Sequence, residues 1–463
     1  MIKITFMGAG STVFLRNVLG DCIYTDALKG MEIALYDIDG QRLEQSAAIL
    51  EAINKGNGCP ASIRSYLGAE NRRKALSGAD FVINAIQVGG YDPCTITDFE
   101  IPKKYGLRQT IGDTLGIGGI MRALRTIPVL EDFARDMEAV CPNAWFLNYT
   151  NPMSMLTGYM LRYTGVKTLG LCHSVQTCSK TLMDAIGMSD RLEGRRELIA
   201  GINHMGWLLD IRDRDGNDLY PEIRRRAKEK NASEKHHDMV RFDYIEKLGY
   251  YCTESSEHNA EYNPFYIKAR YPELIDRFNI PLDEYPRRCI RQIAEWDKEY
   301  ADLSSKGVLP HERSKEYASR IIEAMVTGRP YKLGGNVLNT GGLIENLPRE
   351  ACVEVPCLVD GAGVAPPAKS GGISGQSPIL PAYAPDGAGR VRRPRKFYCR
   401  RPASGLISAS PAALLLCLSS SDVRRAPRFL SHSFLLCLRN ILCARIPAFF
   451  LRKRLSCDIL TQP

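Results

Sequence analysis

The opening of the chain constrains its fold more than any other feature. Ile2-Lys-Ile-Thr-Phe-Met reads as a short apolar strand, and Gly8-Ala-Gly10-Ser11 as the tight turn after it. Apolar residues then recur at helical spacing through Val13, Phe14, Val18, Leu19, Cys22 and Ile23. A second strand, Glu32-Ile-Ala-Leu-Tyr, ends in Asp37-Ile-Asp39. An acid placed roughly 20 to 30 residues past paired glycines is where a nucleotide ribose hydroxyl is gripped. The third glycine of that fingerprint is absent, because Val13 fills its slot. From these residues alone, a plain strand-to-helix turn stays open beside the dinucleotide reading.

More strands alternate with helices downstream. Ala79-Asp-Phe-Val-Ile-Asn-Ala-Ile is a continuous apolar run of the kind buried on both faces of a parallel sheet, and Gly89-Gly90 follows at its carboxyl end. Ala144-Trp-Phe-Leu-Asn148 and Val166-Lys-Thr-Leu-Gly-Leu171 read as further parallel strands. Polar residues cluster after them: Asn148, Asn151, Cys172 and His173. The pattern predicts an α/β fold, a Rossmann-like doubly wound parallel sheet of the lactate/malate dehydrogenase kind, over residues 1–195. Past that point charged helical segments, Tyr220–Lys230 and Arg288–Asp302, are interleaved with short strands. Residues 196–368 are therefore expected to form an α+β substrate domain.

Composition sets the outer limits. With 463 residues, 44% of them hydrophobic and 24% charged, the chain can bury a full core and is neither collagen-like nor disordered throughout. The net charge of +9 does not point to nucleic acid, because residues 370–463 carry 15 basic side chains against 3 acidic ones, leaving the body mildly acidic. No signal peptide is expected at the amino terminus. No uncharged apolar stretch is long enough for a membrane span, since Phe434–Leu451 is interrupted by Arg439 and Arg445. The 15 cysteines, none in a CxxC pair, are expected as thiols in a reducing cytoplasm, with no structural zinc site. Residues 369–463, rich in Arg, Ser and Pro and without a glutamate after Glu354, read as a frameshift product with no native fold. A genuine basic tail is the alternative.

Two motifs fall at strand ends: Gly170-Leu-Cys172-His173-Ser174 and Ala200-Gly-Ile-Asn203-His204-Met205. A thiolate and an imidazole make a partial site for a divalent transition metal, leaving positions open for substrate hydroxyls. A packing cysteine and a hydrogen-bonded core histidine are the alternative. A third segment, Thr253 to Tyr266, crowds Glu254, Glu257, His258, Glu261 and two phenols together with little apolar content. It reads either as a solvated loop or as an active-site loop supplying a general base.

In these motifs, joined by Gln87-Val-Gly-Gly-Tyr, Gly112-Asp-Thr-Leu-Gly-Ile-Gly-Gly and Leu147-Asn-Tyr-Thr-Asn-Pro, the chain resembles glycoside hydrolase family 4 over about residues 1–368. These NAD- and metal-dependent glycosidases are an exception to hydrolysis by two carboxylates. The resemblance implies oxidation at sugar C3 by NAD+, removal of the acidified C2 proton, elimination of the leaving group, addition of water and return of the hydride. It implies Gly8, Gly10, Ser11 and Asp37 as NAD contacts, and Cys172 and His204 as ligands of Mn2+ or another divalent metal. Tyr262 is the implied C2 base, with Glu254 as its alternative. His173 is the implied acid toward the leaving oxygen, and Asn151 and Asp113 are implied sugar contacts. The His173-Ser174 pair argues for a non-phosphorylated sugar, and the motifs look most like those of members acting on terminal α-galactosides. An α-glucosidase or α-galacturonidase stays open, because pocket shape rather than motif fixes the sugar. Outside the family, a metal-free NAD-dependent 2-hydroxy acid dehydrogenase and an inactive truncated remnant are the rival expectations. The implied partner is a small-molecule glycoside, with no nucleic acid or membrane, and the implied assembly a homodimer or tetramer.

Overall fold

In a computed structural model the chain is described at residues 1–58 and 61–367, so the tail expected as a frameshift product lies outside the described residues. Six strands form the first half of the sheet: β1 (Lys3–Met7), β2 (Glu32–Asp37), β3 (Ser62–Leu67), β4 (Phe81–Asn84), β5 (Trp145–Asn148) and β6 (Lys167–Gly170). They lie in the order β3-β2-β1-β4-β5-β6, every pair parallel. This is the Rossmann order, with its reversal between β1 and β4, where such sheets bind ligands.

The sequence pattern accounts for these elements. Phe81-Val-Ile-Asn is buried at every position, shorter than the run expected from Ala79 to Ile86. Helices cover both faces of the parallel half, which is why its inner strands carry no polar alternation. Helix Thr12–Tyr24 turns Leu15, Val18, Leu19, Cys22 and Ile23 onto one face with Ile4 and Phe6. The long helix Gly116–Val140 packs Ala123, Leu130, Phe133 and Met137 on the other, against Val82 and Phe146. The edge strand β3 is exposed except at Ile63 and Tyr66, which are partly buried.

The sheet continues past residue 195. The later strands are β7 (Arg196–Ile202), β8 (Met205–Arg212), β9 (Tyr251–Cys252), β10 (Tyr331–Leu338), β11 (Cys352–Asp360) and β12 (Gly363–Ala365). Beyond β6 the order runs β10-β11-β7-β8-β9, all antiparallel, with β12 on β11. The two strands latest in this path, β10 and β11, thus lie between the strand leading to Cys172 and the hairpin carrying His204.

The solvated-loop reading of Thr253–Tyr266 is corrected. The segment contains the helix Ser256–Tyr262, capped by the Ser255 hydroxyl, with Ser256, His258, Asn259, Ala260 and Tyr262 buried. Many of its polar groups bond within the segment. Asn259 Nδ2, for example, donates to the carbonyls of Glu254 (2.8 Å) and Ser255 (3.1 Å). The nine described cysteines are free thiols. Among the described residues no helix is long and apolar enough to cross a membrane.

Candidate active site

The turn after β1 is held by its neighbours' backbone. The amides of Gly8 and Ala9 both donate to the Tyr36 carbonyl at 3.0 Å. Gly8 adopts φ +89°, and a Cβ there would lie 2.8 Å from the carbonyl carbon and oxygen of Ala85. Only glycine fits, for conformation and for space. Asp37 Oδ2 accepts from the Gly10 amide (2.6 Å), while Oδ1 accepts from Ile38 (2.8 Å) and Asp39 (2.9 Å), so the strand-end acid clasps the glycine turn. Ser11 stands at the helix N-cap position without a side-chain capping bond. Val13, in the slot of the missing third glycine, is 44% exposed, so close helix–strand packing does not require glycine there.

The second group of residues converges from five segments. Cys172 follows β6, and His204 sits in the turn between β7 and β8 with φ +65°, a conformation uncommon outside glycine. One donor atom from each of Cys172, His204 and Glu254 lies within 4.8 Å of the others, and the same holds for Asp113, His204 and His258. His204 Nε2 is 3.3 Å from Glu254 Oε2, and its Nδ1 is 3.1 Å from the Tyr262 hydroxyl. His258 Nε2 is 3.5 Å from Asp113 Oδ1, whose Oδ2 accepts from Asn151 Nδ2 at 3.2 Å. Cys172, His204, Glu254, Tyr262, Asp113 and Asn151 are thereby brought into one cluster. Cys172 and Asn151 enter it from beyond the carboxyl ends of β6 and β5, the same sheet edge that carries the glycine turn and Asp37.

The electrostatics follow from that packing. Burial alone would lower the His204 imidazole, yet Glu254, Cys172 and Asp113 together push it up to about 10. Burial opposes ionisation of Asp113 too, but His258, Arg122 and His204 hold its carboxyl well below the usual carboxylate range. Glu254 is likewise lowered, against its burial, by His204 and His258. The Tyr262 phenol is pushed well above its ordinary value by burial and by the acids Asp113, Glu261 and Glu254. A thiol, imidazoles and carboxylates thus meet in one cluster, the donor types a divalent transition metal takes.

His173 is not joined to this cluster by any hydrogen bond or ion pair among the described residues. Its Nε2 lies 2.6 Å from Glu316 Oε2, its side chain is 46% exposed, and its ring neighbours Phe14, Tyr149 and Tyr317. Three residues were given no site role of their own, two of them, His258 and Glu261, inside the segment read as a possible active-site loop. Glu261 accepts from the amides of Thr110 (2.6 Å), Ile111 (3.2 Å) and Gly112 (2.8 Å), fixing the loop that presents Asp113. His258 links Asp113 to Glu254. Glu354 is fully buried inside β11. A lone glutamate in the apolar run Cys352-Val-Glu-Val-Pro was the signal that could have found it, since a buried carboxylate needs partners.

A model described as family 4 glycosyl hydrolase matches residues 3–188, and its C-terminal domain matches residues 199–375. The chain belongs to glycosyl hydrolase family 4. It is 62% identical over 366 residues to an alpha-galactosidase of Bacillus subtilis (strain 168), covering 79% of this chain and 83% of that one. It is 36% identical to an alpha-galactosidase of Rhizobium meliloti (strain 1021), over 78% of this chain and 74% of the relative. The crystal structure of a 6-phospho-alpha-glucosidase from gut microorganisms, in complex with NAD and Mn2+, shares the fold. It superposes with a TM-score of 0.63 at 21% identity, covering 79% of this chain and 83% of that one.

Proposed function

We propose that this family 4 enzyme is an α-galactosidase that uses NAD+ and a divalent metal, in the first instance Mn2+. The reading is carried by one observation: a buried thiol, a buried imidazole and a partly buried carboxylate meet within 4.8 Å beside the sheet edge that carries the glycine turn. The high identity to the Bacillus subtilis alpha-galactosidase supports the sugar. Relatives named alpha-glucosidase and alpha-galacturonidase stand at 31% and 30% identity.

The residues present fit both groups. Sulfur, nitrogen and oxygen donors suit a first-row divalent ion, and Glu254 and Asp113 supply negative charge beside His204. At Gly8 the absence of a Cβ leaves room for the turn to stay tight, and Asp37 marks the ribose end. When bound, NAD+ supplies a reversible hydride acceptor and Mn2+ supplies Lewis-acid polarisation of sugar oxygens.

The chain's own residues then divide the work. Cys172 and His204 would hold the ion, and Asn151 and Asp113 the sugar hydroxyls. Tyr262 is the base that takes the C2 proton; its hydroxyl stands 3.1 Å from His204 Nδ1, and its burial means that it ionises only with a cation close by. Glu254, 3.3 Å from His204 Nε2, is the alternative base. His173, steadied by Glu316, donates to the leaving oxygen.

The test is hydrolysis of p-nitrophenyl α-galactoside, α-glucoside and α-galacturonide, with and without NAD+, Mn2+ and a thiol reductant. The α-galactoside should be turned over fastest, only with both cofactors, and more slowly with deuterium at C2. Undiminished hydrolysis after removal of NAD+ and metal would refute the mechanism.

A further inference from the structure

The two segments ending in the proposed metal ligands are not adjacent in the sheet. β6, which leads to Cys172, and β7, which leads to His204, are separated by β10 and β11. One row of residues crosses all four strands in register. Gly170 pairs with Asn336, Asn336 with Glu354, and Glu354 with Gly201. The outer members of the row are glycines and the inner members are polar. A Cβ at Gly170 would lie 2.6 Å from Thr157 Oγ1 and 2.8 Å from Asn336 Cβ, so the row closes only with glycine at that end.

The polar side chains span the gap. Asn336 Nδ2 donates to the Gly170 carbonyl (3.3 Å) and to Glu354 Oε1 (3.0 Å). The same Glu354 oxygen accepts from Asn203 Nδ2 at 3.1 Å. Asn203 immediately precedes His204, whose left-handed backbone persists only where its surroundings over-determine it. Asn203, Asn336 and Glu354 are all fully buried, where no water competes for these bonds.

Resting on the metal site proposed above, we infer that Asn336 and Glu354 form a positioning bridge that fixes the separation of Cys172 and His204 and so sets the affinity for the divalent ion. Neither residue belongs to the proposed ligand set. Gly170 stands two residues before the thiol and Asn203 one before the imidazole, so the bridge acts on ligand placement through the backbone. Groups that orient metal ligands from outside the ligand set typically change affinity by about 10- to 100-fold when removed. The nucleotide end is spared, because Gly8 follows β1 and Asp37 ends β2, on the far side of β4 and β5.

The experiment compares full-length wild type with Glu354→Gln, Glu354→Leu and Cys172→Ser. Mn2+ affinity is read by the loss of free-ion EPR signal, and NAD+ affinity by calorimetry. Glu354→Gln keeps an acceptor for both asparagine amides and should bind Mn2+ within a few-fold of wild type. Glu354→Leu should weaken Mn2+ by at least about tenfold while NAD+ affinity stays unchanged. Equal Mn2+ affinity in wild type and Glu354→Leu, or an equal loss in the Gln and Leu variants, would overturn the bridge. Cys172→Ser separates the two ideas: if it binds Mn2+ as wild type does, the metal site itself is wrong, whatever Glu354 does. Should Glu354→Leu not fold, Asn336→Ala takes its place with the same expected loss and the same overturning result.

Discussion

Gly8→Ala tests whether the turn after β1 is built for close approach or is merely a turn. Two separate terms oppose the substitution. The first is conformational: φ is +89°, and an L-residue in the left-handed region costs about 1–2 kcal/mol. The second is steric. The added Cβ would stand 2.8 Å from the Ala85 carbonyl carbon and oxygen and 2.9 Å from the Ile86 nitrogen. All three are backbone atoms and cannot swing aside, so the end of β4 must shift, at about 1–3 kcal/mol for such overpacking. Gly30 supplies the control. Its φ is +79°, but nothing lies within 4 Å of its Cβ position, so Gly30→Ala carries the conformational term alone. Urea unfolding of the two variants should place Gly8→Ala at about 2–5 kcal/mol of lost stability and Gly30→Ala at no more than about 2 kcal/mol. Since β4 borders the switch point with β1, NAD+ affinity measured by calorimetry should fall at least about tenfold in Gly8→Ala alone. Equal destabilisation by the two substitutions, or unchanged NAD+ binding in Gly8→Ala, would show that the approach of β1 to β4 does not shape the nucleotide site.

Tyr262→Phe removes one hydroxyl from a buried ring. It should leave the melting temperature and NAD+ affinity near wild type while lowering kcat about 10²- to 10⁴-fold in steady-state assays, the range of a lost general base; a change confined to KM would reassign the residue to binding. Asp21 is fully buried and joins helix Thr12–Tyr24 to the 311–314 segment, bonding to His311 Nε2 (2.7 Å), the Ser314 amide (2.8 Å) and the Ser314 hydroxyl (2.7 Å). Burial opposes its ionisation, yet the bonds from His311 and Ser314 prevail and its carboxyl sits below the ordinary value. Its stabilisation is therefore complete above the unfolded pKa of about 3.9 and is lost as pH falls through the lower folded value. Asp21→Asn should cost about 1–3 kcal/mol near neutral pH and flatten the acid limb of melting temperature against pH; an unchanged acid limb would remove Asp21 from that transition.

The parallel half of the fold was legible because its information is local. A fully buried strand such as Phe81-Val-Ile-Asn announces itself by an unbroken apolar run, and the β1 turn by glycines at a fixed distance from Asp37. The motifs holding Cys172, His204 and Glu254 stood out by their place at element ends, while the residues alone left a packing cysteine and a core histidine open. The helix Ser256–Tyr262 was harder. Its face is polar and buried at once, and a hydropathy pattern cannot tell a polar segment satisfied by neighbours from one satisfied by water.

What stayed hidden depends on strand order. Nothing in Tyr331–Leu338 or Cys352–Asp360 says that these strands lie between β6 and β7; that placement is a choice among long-range pairings with no nearby mark in the chain. Asn336 and Glu354 become meaningful only after it is known, because 18 residues separate them in sequence while one cross-strand pair joins them in space. The same logic applies to His173. Its motif set it beside the thiol, but Cys172 keeps an extended backbone (φ −137°, ψ 138°) and the helix begins at His173, so the two side chains point apart. Cys172 therefore reaches His204 while His173 turns toward Glu316 and Tyr149. A sequence motif fixes which residues are neighbours along the backbone, and the helix start at His173 decides which of two adjacent side chains joins His204 and Glu254 and which faces Glu316.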